Sequence, residues 1–248
     1  MKKKELFNKL SPSIKFYFIV VFIISLNLKL KSKNKLSDNL NLNYEKIFNQ
    51  NHYWRFFTNI FVLGDLSRKT IFFCYFFYIH FKIIEFRTIR LRIYAEYIMM
   101  IFYLLINLNI FNLFLVYIMK LKSFNTLAFQ LLSSIIYINS KREPYKKVRI
   151  FLIRIENIYF PIFQIIIHII EGKSIIENLI GYISGYLFLF LKEEFPKQKN
   201  INILKTPKFL VDLTEKYMEF NNKAKIKQNI TNQFNTNNVN NNNNNIKK

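Results

Sequence analysis

From Tyr94 to Met119 the chain carries one charged residue, Glu96, and it is closed by Lys120 and Lys122. A helix that long and apolar belongs in a bilayer, whose hydrocarbon core takes about 20 residues to cross. Asn107, Asn109 and Asn112 interrupt the run. It is the longest of a series. Phe16 to Leu28, Ile71 to Phe81, Phe124 to Ile138, Ile158 to Ile170 and Ser174 to Pro196 are also apolar, with basic clusters between them. The chain is 51% hydrophobic, yet its formal net charge is +22. Apolar segments with cations in the connecting loops are the pattern of a multi-span membrane protein. The expected fold class is an all-α membrane protein of six transmembrane helices, with a membrane domain at 1–196 and a cytosolic tail at 197–248. From about 221 the tail is Asn-rich and is expected to be disordered, since it cannot bury a core.

The basic N-terminus (Lys2, Lys3, Lys4, Lys9) followed by Phe16 to Leu28 could also be read as a signal peptide. No small-x-small cleavage site follows, so an uncleaved first span is favoured. The second run is only eleven residues long before Lys82, which is short for a crossing. With six spans both termini share a side. The positive-inside rule places them in the cytosol with the 82–92 and 139–149 loops. The Lys29 to Lys35 cluster opposes this and is outvoted.

The abundance of Ile, Lys, Asn and Phe is that of an AT-biased genome, so the basic charge is weak evidence for nucleic acid, and no nucleic-acid partner is expected. One cysteine, Cys74, rules out an intramolecular disulfide and any Cys-based zinc site. His52 and His80 have no cysteine or carboxylate at ligand spacing. There is no phosphate-binding glycine loop. No metal or cofactor is expected.

Two stretches stand out. His52 to Gly64 is aromatic and amphipathic and holds the single tryptophan, Trp54, beside Arg55. A Trp–Arg pair suits a membrane interface, with the indole at headgroup depth and the guanidinium on phosphate. The last apolar run carries Gly181 and Gly185, half of the four glycines in the chain. Four apart, they share a helix face and let another backbone approach. Taken alone, such a pair is a weak signal, and one reading of it is that it only packs two helices.

Taken together these stretches resemble the derlins, rhomboid-like pseudoproteases of endoplasmic-reticulum-associated degradation. Trp54-Arg55, Thr58-Asn59 and Gly64 are similar to the family's first lumenal loop. Glu85 matches an acidic position after the second span, and Tyr137-x-x-Ser140-Lys-Arg-Glu-Pro144 with Val148 matches the fourth-span exit. Gly181-x-x-x-Gly185 with Glu194-Phe195-Pro196 matches the sixth span and its end. Leu204-x-Thr206-Pro207-x-Phe209-Leu210 matches the segment beyond, so the resemblance covers about residues 12 to 212. Two departures stand against it. Tyr186 follows the second glycine where the family has histidine, and the tail lacks the glycine-containing box that docks the cytosolic AAA-ATPase segregase.

The resemblance implies a rhomboid-like fold and a non-enzymatic role, assisting retrotranslocation of misfolded proteins beside a membrane ubiquitin ligase. The residues agree on the chemistry. A rhomboid protease needs a serine after a glycine on the fourth span and a histidine on the sixth. Here Leu127 to Ser134 holds no glycine and the sixth span no histidine, so Ser133 and Ser134 lack a base, while His168 lies on the fifth span. An active protease using Ser133 or Ser134 is the competing enzyme reading. A solute transporter would show an internal repeat, and none is present. The remaining mechanism is physical: short spans thin the bilayer, and Asn107, Asn109, Asn112, Gln130, Gln164 and His168 face the interior or a wet groove. Trp54 and Arg55 would then anchor the first-loop helix in the lumenal leaflet, and Gly181 and Gly185 would hold the sixth span against the second. The expected partners are misfolded clients, the ligase, the bilayer and, despite the missing box, the segregase; the oligomeric state is left open. The endoplasmic reticulum membrane is the expected location. Import across an outer membrane of a complex plastid is the alternative role.

Overall fold

A computed structural model describes residues 12–30, 39–64, 66–90, 94–120, 127–150, 153–170 and 174–219. The N-terminal lysines, Lys31, Lys33 and Lys35, Arg92, Lys122, Phe124, the 171–173 turn and the tail from 220 lie outside the described residues.

The protein is predominantly helical. Helix α1 (Pro12–Leu30) enters the bundle, and two short helices follow, α2 (Tyr44–Asn49) and α3 (Arg55–Thr58), with a 3-10 turn at Asn59–Phe61. Then come α4 (Arg68–Arg90), α5 (Tyr94–Met119) and α6 (Ala128–Arg142). A β-hairpin, β1 (Lys147–Ile150) and β2 (Ile153–Glu156), leads through a 3-10 turn (Asn157–Tyr159) into α7 (Phe160–Ile170). Helix α8 (Ile176–Leu189) continues through a π-turn at Phe190–Glu194 into α9 (Phe195–Lys199), and a last helix, α10, covers 208–219.

Helix α6 is the centre. Gln130 through Ile136 are all buried, a full two turns with no outward face. The helices around it are apolar on their outer sides as well. On α5, Phe102, Ile106, Ile110 and Phe114 are exposed at four-residue spacing. On α7 the exposed row is Ile162, Ile166, Ile169 and Ile170, and on α8 it is Leu179, Ile183 and Tyr186. Water would not tolerate such rows, whereas lipid would. Among the described residues one helix, Tyr94–Ile118, is long and apolar enough by itself to cross a membrane.

Several boundaries differ from the sequence reading. Helix α4 runs 23 residues and does not stop at Lys82. Lys82 is exposed while Glu85 is buried, so the helix carries its charges past the apolar stretch. Helix α6 runs to Arg142, four residues beyond the expected end, because Asn139 turns inward and donates to the carbonyl of His80 at 3.0 Å. The basic stretch after it, read as a loop, opens the hairpin. Val148 and Ile150 alternate inward on β1, the period-2 signature of a half-buried strand. Pro196 does not close the last span; it sits in the first turn of α9, where its missing N–H costs nothing.

An aromatic layer joins α1 to α4. Tyr17 stacks on Phe77 at 4.1 Å between ring centroids, and Phe77 on Phe81 at 3.9 Å. The Tyr17 hydroxyl donates to the carbonyl of Ile60 at 2.9 Å, tying α1 to the first loop.

Candidate functional site

Three constellations converge on α6. The first is the loop between α1 and α4. Trp54 and Arg55 are neighbours with opposite fates. Trp54 is 50% exposed, its ring against that of His52 at 4.4 Å. Arg55 is 1% exposed. Its Nη1 donates to the carbonyl of Asn41 at 2.8 Å, and its Nη2 lies 3.4 Å from Nδ1 of His52. The expectation that this guanidinium reaches lipid phosphate is therefore corrected. It is an internal brace, holding the chain before α2 with a charge-assisted bond. Thr58 Oγ1 donates back to the carbonyl of Trp54 at 3.1 Å. Asn59 is fully buried. It donates to the carbonyl of Leu40 at 3.4 Å, and its Oδ1 accepts the backbone N–H of Leu127 at 2.5 Å. That N–H stands at the start of α6, where it has no helical partner. Gly64 follows with φ +98°, a left-handed turn that a side chain would strain. Tyr44, on α2, donates to the carbonyl of Asn109 on α5 at 3.2 Å, and burial pushes its pKa up, so it stays a donor.

The second constellation is the glycine pair. A Cβ on Gly181 would lie 2.4 Å from the Gln130 carbonyl oxygen and 2.5 Å from Ser133 Cβ. One on Gly185 would lie 2.8 Å from the Ser134 carbonyl oxygen. The glycines thus press α8 onto α6, the fourth span of the sequence reading, and the expected contact with the second span is corrected. The spacing identified the face, but a helix face alone does not name its partner.

The third is a polar seam inside the bundle. Ser133 Oγ donates toward the Phe129 carbonyl at 2.9 Å and Asn178 Oδ1 at 3.2 Å, and it accepts from Gln164 Nε2 at 2.8 Å. Tyr182 closes the seam by donating to Gln164 Oε1 at 3.0 Å. Ser134 Oγ donates to the Gln130 carbonyl at 3.0 Å. Asn112 and Gln130 exchange amide bonds at 2.6 and 2.9 Å between α5 and α6. These partners are carbonyls and amides, and none of them is a general base. Of the polar residues expected to face the interior, Asn112, Gln130 and Gln164 do so as hydrogen-bonded pairs and His168 is buried, while the Oδ1 atoms of Asn107 and Asn109 are buried without a hydrogen-bond partner among the described residues. Two of these polar residues border a small cleft between α4, α6 and α7 that is walled mostly by Phe, Leu and Ile side chains. Gln164 and His168 stand on its wall and Lys69 at its edge, and it holds about 30 Å³, room for a water or two. The larger crevices are apolar: about 510 Å³ between α1 and α4, and about 730 Å³ between α2 and the end of α5.

The sequence reading missed a charged clasp where α6 and α8 end. Arg142 pairs with Glu193, Nε to Oε1 at 2.7 Å, with its guanidinium 5.6 Å from the Phe188 ring. Lys192 lies 3.3 Å from Glu96 at the start of α5, and it donates to the carbonyl of Leu204 at 3.1 Å. Part of the signal was present in the sequence: Arg142 lies within the Ser140 to Pro144 motif, and Glu193 directly precedes the Glu194 to Pro196 motif.

The model of the Der1-like family matches residues 11–208, most of the chain and all three constellations. A protein of Dictyostelium discoideum named "Probable derlin-2 homolog" is 28% identical over 177 residues, 71% of this chain and 69% of that protein. Derlin-1.2 of Zea mays is 25% identical over 224 residues, 86% of this chain and 85% of the relative. Derlin-2.2 of Arabidopsis thaliana is 27% identical over 179 residues, 69% and 72% respectively. With a buried serine–amide seam, a glycine-packed α8 and a braced first loop all inside the matched range, the chain is a membrane protein of the Der1-like, or derlin, family.

Proposed function

We propose that this protein assists the movement of misfolded proteins out of the endoplasmic reticulum lumen or membrane for degradation in the cytosol, without catalysing a reaction. The observation that carries the reading is the shortness of the apolar helical segment that ends in α7. With its leading 3-10 turn it covers Asn157–Ile170 and rises about 22 Å, against about 30 Å of hydrocarbon. Helix α8, at 14 residues, rises about 21 Å before its π-turn, and the helical chain beyond is charged from Lys192 to Glu194. Both carry exposed isoleucines on their outer faces. A bilayer meeting that surface must thin locally, which lowers the barrier to a polar polypeptide.

On this reading α1, α4, α5, α6, α7 and α8 are six crossings with both termini cytosolic, in a rhomboid-like arrangement. Ser133 and Ser134 are packing groups in a pseudoprotease core. Exposed Trp54 is the lumenal contact with lipid or client. A membrane ubiquitin ligase and the segregase act beside it.

The test is the lifetime of a misfolded lumenal reporter in cells depleted of the protein, with abundance followed throughout. Depletion should lengthen the lifetime and wild type should restore it. Trp54→Ala at equal abundance should restore it poorly. An unchanged lifetime on depletion would rule out the degradation role in that compartment and direct attention to import across a plastid membrane.

A further inference from the structure

The last described helix, α10, carries more apolar surface than the protein covers. Leu210, Thr214 and Met218, four apart, turn toward the bundle, with Thr214 buried and Met218 packed on the core. Phe209, Leu213 and Tyr217, also four apart, form the adjoining row and are 69%, 61% and 39% exposed. Lys208, Asp212, Glu215, Lys216 and Glu219 occupy the remaining arc and are exposed. The helix is amphipathic, but half of its apolar arc faces outward.

Its location tells what covers that half. Lys192, paired with Glu96, holds the carbonyl of Leu204, so the segment entering the helix is fastened to the ends of α8 and α5. From Lys197 to Lys208 the chain has four lysines, all exposed, and no acidic residue. Ile201 and Ile203 stand exposed among them. Cations interleaved with outward apolar side chains, beside the end of a membrane helix, match the charge and polarity of an anionic bilayer surface.

We propose that residues 197–219 lie on the bilayer surface, with Phe209, Leu213 and Tyr217 among the headgroups of acidic phospholipids and the lysines on their phosphates. The inference rests on α5 and α8 crossing the membrane. A cytosolic protein covering the same face is the outcome the test must separate from it.

The full chain with Cys74→Ala and one added cysteine is labelled with an environment-sensitive fluorophore and reconstituted into vesicles. The vesicles are phosphatidylcholine, with or without phosphatidylserine as a minor component. Leu213→Cys reports the proposed contact, Glu215→Cys the polar arc, and Ile106→Cys the outer face of α5. A lipid nitroxide near the headgroup should quench the Leu213 label several-fold more than the Glu215 label. Removing phosphatidylserine or raising salt should weaken that quenching. Equal water access at Leu213 and Glu215, with Ile106 quenched by a deep nitroxide, overturns this inference and leaves the crossing intact. Protection of Leu213 only in native membranes likewise overturns it and assigns the face to a protein. An unquenched Ile106 label overturns both the crossing and the inference built on it.

Discussion

Gly181 and Ser133 are packed so closely that a Cβ on the glycine would stand 2.5 Å from the Cβ of the serine, a separation real Cβ atoms do not show. The nearer obstacle, the Gln130 carbonyl oxygen at 2.4 Å, belongs to backbone and cannot swing away. Gly181→Ala should therefore destabilise the protein by about 1–3 kcal/mol, the usual range for overpacking. At Gly185 the nearest atom is 2.8 Å away, so Gly185→Ala should cost less. Thermal unfolding in detergent gives the order. A greater loss at Gly185 would place the tightest contact elsewhere.

Asn59 gives a second prediction. Its Oδ1 takes the N–H of Leu127, which is buried. Asn59→Ala strands that donor, a loss of about 1–3 kcal/mol. Thr58 bonds only within its own turn, so Thr58→Ala should cost less than about 0.5 kcal/mol, as partly exposed substitutions do. Comparable losses at the two positions would contradict the bridge from first loop to α6.

Neighbouring Trp54 and Arg55 should separate in phenotype. Removing the buried guanidinium with Arg55→Ala leaves the Asn41 carbonyl without its donor, and abundance should fall. Trp54→Ala removes a half-exposed ring and should leave abundance near wild type while slowing reporter clearance. Immunoblot and pulse-chase on the same cells read both quantities. Reduced abundance for Trp54→Ala would assign it a packing role instead.

How far these relationships could be read beforehand depended on where each residue's partner lay. Helix α5 runs over the expected residues because its apolar stretch is bounded by charge on both sides. Helix α4 does not end at Lys82, because a helix can outrun the apolar run inside it. The inward turns of Asn139 and Arg55 are tertiary: each donates to a carbonyl outside its own helix, His80 for the one and Asn41 for the other. The partner of Gly181 is likewise a matter of topology, since any helix could have met that face. The hairpin strand β1 was concealed by Lys147 and Arg149, which are the outward half of an alternating pattern.

The clasp between Arg142 and Glu193 should be modest in energy. Glu193 is 38% exposed, so water screens the pair, and a coupling below about 1 kcal/mol is expected. Arg142→Glu and Glu193→Arg should each lower the melting temperature slightly, and the double swap should recover part of the loss. A double variant no better than the sum of the singles would show that the pair has no coupling.

Ser133 separates a packing group from a nucleophile. Its hydroxyl donates toward the Phe129 carbonyl and Asn178 and accepts from Gln164. Ser133→Ala leaves a buried amide donor of Gln164 without an acceptor, a loss of about 1–3 kcal/mol. Abundance should fall with it. A nucleophile's removal acts differently: it abolishes the rate per molecule by orders of magnitude, whatever the abundance. Reporter clearance divided by protein level should therefore be unchanged in Ser133→Ala, and in Ser134→Ala, whose hydroxyl bonds only the Gln130 carbonyl. Clearance per molecule that vanishes in either variant, together with cleavage products of a transmembrane reporter that vanish with it, would make the protein a protease. Clearance that scales with abundance leaves the serine as one member of the seam that holds α6, α7 and α8 in register.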